Sequence, residues 1–586
     1  MNHTPSSAVT LAMVTISNRG LNGSSIRAAV ALASTLVVLA ACTGDDSVEP
    51  ETTQDQSLGT VVVGLLDPLP ENLLPLSTSV GGAEDLLAGV LPSAFHVQHD
   101  LSVARNEDLL TEEPTVEMTD AGQQVVNYTL NPEAVWSDGT AISAADFEFT
   151  WRIQRTDDPT AGGCPAVVPG PGYSMVESVF SVNDGATVSV TFRSAFSDWR
   201  QIFAHLLPAH LMDNADVVAL CDSLSTGWPL ADGLPDDISG GPWQLAADAI
   251  DTATQSVTLT PNPEYWGPTP RLGSVTFRSL VASEPETITN SLAEGEIQLV
   301  TGSPNAALGD ALGAVDPQPT ATLEQGASFD ELVLNIGNVH LVDPLVRRAV
   351  TLALDRAQIA ESVAGTSGIS EAELEPLESR LLLPGQDGYG DSVPEEFRAA
   401  DPESARAILA DAGYVLGADG VYSHPERGRL SLAVSVAEDP LQIDVIDVLI
   451  EQGAQSGIEV INRPSADLVA TLQSGIFDAA LLTASGAPYV LSAAARYVSP
   501  AAGGTENYGL GSSPAVDAIF TDLAAATDAS TYAELANRID ALLWADLTTV
   551  PLYRRPVILA VTADVDGVEF NPVTGVTSSL GNWSLN

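Results

Sequence analysis

The sequence contains no lysine: its 22 basic residues are all arginine. That absence excludes a P-loop lysine, a Schiff-base lysine and a Ser-x-x-Lys dyad. Positive charge is scarce altogether. Against 77 Asp and Glu the formal net charge is −55. Nucleic acid is therefore excluded as a partner, because phosphate contacts need clustered cations. Catalytic signatures are absent too, with no Gly-x-Ser-x-Gly elbow, no His-Glu-x-x-His helix and no Gly-x-Gly-x-x-Gly turn. His96, His99 and Asp100 lie close enough in sequence to share a metal, but no third separate ligand is indicated, and half-exposed polar residues are the plainer reading. Asp236 and Asp237 form an acid pair of the kind such a composition produces by chance. No catalytic residue, metal ligand or cofactor is assigned, and the chain reads as a non-enzyme.

Its 586 residues are too many for one core, and 45% hydrophobic content suits a globular protein of two or three domains. The acids are scattered rather than clustered. Adaptation to high salt accounts for them best, since carboxylates hold water and screening makes their repulsion tolerable. Steering of cationic solutes is the alternative. The first reading predicts a melting temperature that climbs steeply with added NaCl or KCl. A flat response up to molar salt would remove it.

Arg19 and Arg27 flank the start of an apolar run from Ala28 to Ala40. The run is too short to span a bilayer and has the length of a signal-peptide core. It ends at Leu39-Ala40-Ala41-Cys42, which resembles a bacterial lipobox, whose cysteine is lipidated and becomes the mature first residue. A start at Met13 would give a signal of more ordinary length. Stable anchoring takes more than one acyl chain. Residues 42–57 are acidic and poor in apolar side chains, so they read as a flexible tether. Beyond it only Cys164 and Cys221 remain. In an oxidising compartment an even pair reads as a disulfide, with two buried free thiols as the alternative.

Patterning gives an alternation of strands and capped helices. Leu58 to Leu65, Gln123 to Leu130, Ala186 to Phe192, Leu272 to Arg278, Leu430 to Val436, Ile458 to Ile461 and Phe477 to Leu482 read as strands. Ser143 with Asp146 forms a capping box after a Ser-Asp-Gly turn. Asp343-Pro344 starts a helix with a stop at Gly365, Asp401-Pro402 one that ends at Gly413, and Ser513-Pro514 a third. Ile443 to Gln455 and Tyr532 to Trp544 are further helices. Alternation of this kind points to an α/β protein with crossover connections.

Several patches share wording with one family. They include Trp136-Ser-Asp-Gly-Thr140, Leu207-Pro-Ala-His210, Ser239-Gly-Gly-Pro-Trp243, Asn262-Pro-Glu-Tyr-Trp266, Leu332-Val-Leu-Asn335 with Asp343 to Arg356, Asp401 to Tyr414, and Val550-Pro-Leu-Tyr553. In this order they resemble the solute-binding proteins of bacterial peptide-type ABC importers, the dipeptide/oligopeptide class. The resemblance implies a two-lobed periplasmic-binding-protein fold (type II, Venus-flytrap) with an extra subdomain in the first lobe. The implied organisation is signal 1–41, tether 42–57, lobe I 58–94, extra subdomain 95–237, lobe I again 238–325, lobe II 326–551 and a return to lobe I over 552–586.

The resemblance further implies a monomer, held on the outer face of the cell membrane by its lipid, that captures a small solute such as a peptide between its lobes. It would hand that solute to the permease and ATPase subunits of an importer. Glu71 and Asn72, after the first strand, become candidate contacts. In the family an aspartate after the Phe-Asp-Ala strand answers a peptide's α-amino group. Here that stretch is Thr483-Ala-Ser-Gly-Ala-Pro-Tyr489, with neither the family's Trp nor its acids. Either another acid answers the ammonium or the guest is not an ordinary free-amine peptide, because an unpaired buried charge is expensive. Thr483, Ser485 and Tyr489 are candidates by position, as are Asn507 and Tyr508 on the next loop. An anchored hydrolase, or a sensor or adhesin that keeps the fold without a permease, are the rival readings.

Overall fold

The computed structural model describes residues 58–586 apart from 71–72, 74–85, 166, 214–216, 227–236, 282, 370–371 and 487. The expected signal, Cys42, the tether and the candidates Glu71 and Asn72 lie outside the described residues. By compactness the chain divides after Gln56, and Ser57–Asn586 is the unit described below.

The first strand, Thr60–Leu65, is a β-branched run that pairs in parallel with Ser274–Ser279 and Leu299–Gly302. Ser256–Pro261 adds to it antiparallel, beyond Ser274–Ser279. This is the lobe I half. In the lobe II half, Ser431–Ala437 pairs in parallel with Glu459–Ser465 and Ala479–Ser485. Val61, Val63, Leu432 and Val434 are buried there, as parallel strands covered by helices require.

Two long antiparallel strands, Thr320–Leu334 and Thr549–Val561, run from one half to the other and make a single eleven-stranded sheet. Their register holds from Thr320↔Val561 to Gln325↔Pro556 and resumes at Phe329↔Arg554. Gly326, Ala327 and Ser328 therefore oppose Arg555 alone, a bulge that bends the pair. On the returning strand the residue opposite this bulge is Arg555.

Within the span expected for the extra subdomain, Thr115–Met118, Gln124–Thr129, Thr187–Phe192 and Val176–Val182 form a separate antiparallel sheet in that order. Helix Ala144–Gln154 packs on it, started by the expected capping box: the Ser143 N–H donates to Asp146 Oδ2 at 2.7 Å, and the Ala145 N–H donates to Ser143 Oγ at 3.3 Å. Cys164 and Cys221 are joined as a disulfide, their Cα atoms 5.2 Å apart.

Three expectations need correction. The helix expected from Pro344 to Gly365 is two helices, Pro344–Leu352 and Arg356–Gly365. Asp355 accepts the Gln358 N–H at 3.0 Å and so starts a second helix where the first was expected to continue. The helix expected at Ile443 begins at Pro440, capped by Asp439, the same Asp-Pro device used elsewhere. The strand expected over Phe477 to Leu482 is Ala479–Ser485, drawn onward by pairing with the crossing strand as far as Ser328↔Ser485.

Lobe I and the subdomain share one apolar core that includes Val61, Tyr128, Phe147 and Phe277, while Val346, Leu432 and Tyr553 belong to the core of lobe II. A small third cluster, Leu101, Phe329, Leu377, Leu383 and Ala484, joins the subdomain, the bulge and lobe II. No helix among the described residues is long and apolar enough to cross a membrane.

Candidate ligand-binding cavity

Sequence patches far apart along the chain meet in space. Trp136 is fully buried, and Gly139, at φ 84°, closes the turn by donating to the Trp136 carbonyl at 2.8 Å. Asp138 of this turn takes His210 Nε2 at 2.8 Å. The Ser137 N–H donates to the Ser239 carbonyl at 2.7 Å, and the Ser239 N–H donates back to Ser137 Oγ at 3.0 Å. Asn262 donates through Nδ2 to the Gly241 carbonyl at 2.9 Å. The Asn262 carbonyl in turn accepts the Tyr265 N–H at 3.3 Å, which ties this floor to Tyr265 and Trp266.

Above that floor lies a cavity of about 840 Å³, a size suited to a small solute. Every part of the unit contributes to its wall. The subdomain supplies Phe95, His96, Asp108 and His205; lobe I supplies Trp243, Tyr265 and Trp266. Lobe II adds Tyr489 and Ser492, and the C-terminal return adds Glu569, Phe570 and Asn571. The Tyr265 hydroxyl donates to Asp108 Oδ2 at 2.6 Å, and Trp266 Nε1 donates to the Asp108 carbonyl at 2.7 Å. Asn571 Nδ2 donates to the Val97 carbonyl at 2.8 Å and ties the return to the subdomain. His96 lines the cavity, and desolvation there lowers its pKa.

Lobe II reaches the subdomain through Asp198. Its Oδ2 accepts the Leu491 N–H at 3.0 Å, and the neighbouring Val490 N–H donates to the Tyr532 hydroxyl at 2.6 Å. Burial raises the Asp198 carboxyl to about 6. Separation of the lobes would hydrate it and return it towards the ordinary value of about 4. The contact thus binds a proton more tightly when closed. Its contribution is full below the open-state pKa and is lost as pH rises through about 6, a difference on the order of 2–3 kcal/mol. Solution scattering should show a more compact molecule at pH 5 than at pH 8, and Asp198→Asn should abolish the difference. Identical profiles in the native protein at both values would refute this.

The five described candidates separate into distinct places. Tyr489 is on the cavity wall, and burial, with Asp198 nearby, raises its hydroxyl pKa. Thr483 lies in a strand rather than a loop, inside a polar cluster at the crossing. Its hydroxyl donates to Asp330 Oδ1 at 2.7 Å. Arg555 donates to both oxygens of Asp330 at 3.2 Å and to Asp439 Oδ2 at 2.6 Å, and the Tyr553 hydroxyl donates to Asp330 Oδ2 at 2.5 Å. Ser485 pairs with Ser328 at the bulge, and its carbonyl accepts Arg496 Nη2 at 2.9 Å. Asn507 is buried, and its amide group holds Val498, Gly511 and its own loop together. Tyr508 packs beside the small cluster around Phe477. Asp108, Tyr265, Trp266 and Phe570 were not singled out as contacts. The one available signal was the aromatic pair in Asn262-Pro-Glu-Tyr-Trp266.

Comparison with known proteins agrees with this architecture. The family described as bacterial extracellular solute-binding proteins, family 5, middle region, matches residues 108–504. The oligopeptide-binding protein OppA of Mycobacterium tuberculosis is 28% identical over 530 residues, covering 88% of this chain and 82% of that relative. Among solved structures, the periplasmic EDTA-binding protein EppA superposes with a TM-score of 0.77 at 24% identity, over 92% of this chain and 99% of the other. The oligopeptide-binding protein AppA from Bacillus subtilis, in complex with a nonapeptide, gives 0.67 at 17% identity, over 90% and 99%. These two likenesses carry the two-lobed fold.

Proposed function

This chain belongs to the family 5 bacterial extracellular solute-binding proteins, and from that membership we propose that it captures a peptide or similar small solute between its lobes and delivers it to an ABC importer. The observation that carries the reading is the cavity of about 840 Å³ walled jointly by lobe I, the subdomain, lobe II and the C-terminal return. A guest there is gripped by parts that a bend at Gly326–Ser328 would separate, which couples occupancy to lobe closure. The name of the oligopeptide-binding relative supports a peptide-like guest. On this reading the guest leaves unaltered, as suits a member of a solute-binding family. The protein acts as a monomer, and a lipid on Cys42 holds it at the membrane surface.

Native mass spectrometry of the purified protein, followed by extraction, tests the capture. A co-purifying small molecule that re-binds and compacts the protein in scattering is expected. Profiles that stay unchanged with every solute offered, together with turnover of one of them, would favour the hydrolase. Anchoring has its own check: incorporation of labelled fatty acid should be lost in Cys42→Ala. Permease and ATPase genes beside this one would separate an importer component from a sensor or adhesin.

A further inference from the structure

Three carboxylates face the cavity, Asp100, Asp108 and Glu569, and no arginine lines it. None of the three takes part in an ion pair among the described residues. Arg105 turns to Glu107 at 3.1 Å and Glu113 at 3.6 Å; Arg200 lies 3.9 Å from the same Glu113 and over the rings of Trp199 and of the wall residue Phe95, so the cation-free part of the wall is the side of Asp108 and Glu569. Arg555 at the crossing is taken by Asp330 and Asp439. The chain has no lysine that could pair with these carboxylates instead.

The wall is also aromatic. Phe95, Tyr265, Trp266, Tyr489 and Phe570 line it, and aromatic faces attract cations. The Tyr265 hydroxyl occupies Asp108 Oδ2, and the other carboxylate oxygen accepts no hydrogen bond among the described residues. Trp243, a wall residue with no exposed surface, has an indole N–H without an acceptor among the described residues.

We propose that the guest carries net positive charge: an amine- or guanidine-bearing solute whose cation meets Asp108 and Glu569 against the rings of Tyr265, Trp266 and Phe570. This rests on the solute-binding reading and narrows it. An anionic guest would bring its charge against unpaired carboxylates, with no donor cation to offset them. The wall also supplies acids to answer an ammonium, a role the segment after Ala479–Ser485 lacks.

Calorimetry with trilysine, trialanine and triglutamate at low salt tests the assignment. Trilysine should bind at least tenfold more tightly than trialanine, and triglutamate more weakly than both. Asp108→Asn keeps an acceptor for Tyr265, and Glu569→Gln keeps the shape. Each should weaken trilysine about tenfold and trialanine by a smaller factor. Equal affinity for the three peptides, or preference for triglutamate, would overturn the charge assignment and leave solute capture standing. So would binding of none of them by a protein that carries a neutral or anionic guest from the cell. Absence of any guest, native or offered, would overturn both.

Discussion

Changing Arg380 to alanine is expected to destabilise the protein by about 3–5 kcal/mol, the usual penalty for breaking a buried ion pair from one side. Arg380 and Asp540 both have fully buried side chains, 3.1 Å apart. The Arg380 backbone N–H donates to the same Asp540 oxygen at 3.1 Å, Nε donates to Thr549 Oγ1 at 3.0 Å, and Nη2 to the Thr549 carbonyl at 2.6 Å. The guanidinium lies 4.5 Å from the centre of the Trp544 ring. It also lowers the pKa of buried Glu331, which burial raises. Removing it leaves Asp540, in the helix just before strand Thr549–Val561, buried without its counter-ion. Urea unfolding should show the loss, and Arg380→Met with Asp540→Leu should recover most of it, because an apolar pair leaves no orphaned charge. A loss below about 1 kcal/mol in the single variant would contradict the burial described.

The second large effect concerns the subdomain. Replacing Cys164 and Cys221 together by alanine should lower stability by about 4 kcal/mol, the chain-entropy value for a closed loop of this length. The bridge ties the segment after helix Ala144–Gln154 to helix Val217–Thr226. Its loss should therefore appear first as protease sensitivity within residues 155–226, with lobe II unaffected. Scanning calorimetry with and without reductant gives the magnitude. Equal melting temperatures would show that the bridge contributes nothing.

Much of the fold was legible because it is written locally. Asp-Pro and Ser-Pro starts fixed three helices, and β-branched runs located most strands. Where a second cap interrupted an apolar face, as at Asp355, periodicity alone missed the break. Ala479–Ser485 was misjudged for a different reason: its far end is a strand only because Ser328 pairs with Ser485, and no local signal encodes a partner about 150 positions away. The cavity was the least legible part. Its wall draws short pieces of chain from Ala88 to Asn582, and no spacing in the sequence marks them as one site. Thr483 was placed near the right strand, yet its hydroxyl answers Asp330, a residue whose burial depends on both crossing strands.

The strand Thr549–Val561 lies between Leu299–Gly302 and Thr320–Leu334. Neither half of the sheet can be completed until nearly the whole polypeptide has been synthesised. The closing of the central sheet therefore falls to the last of its strands to be made.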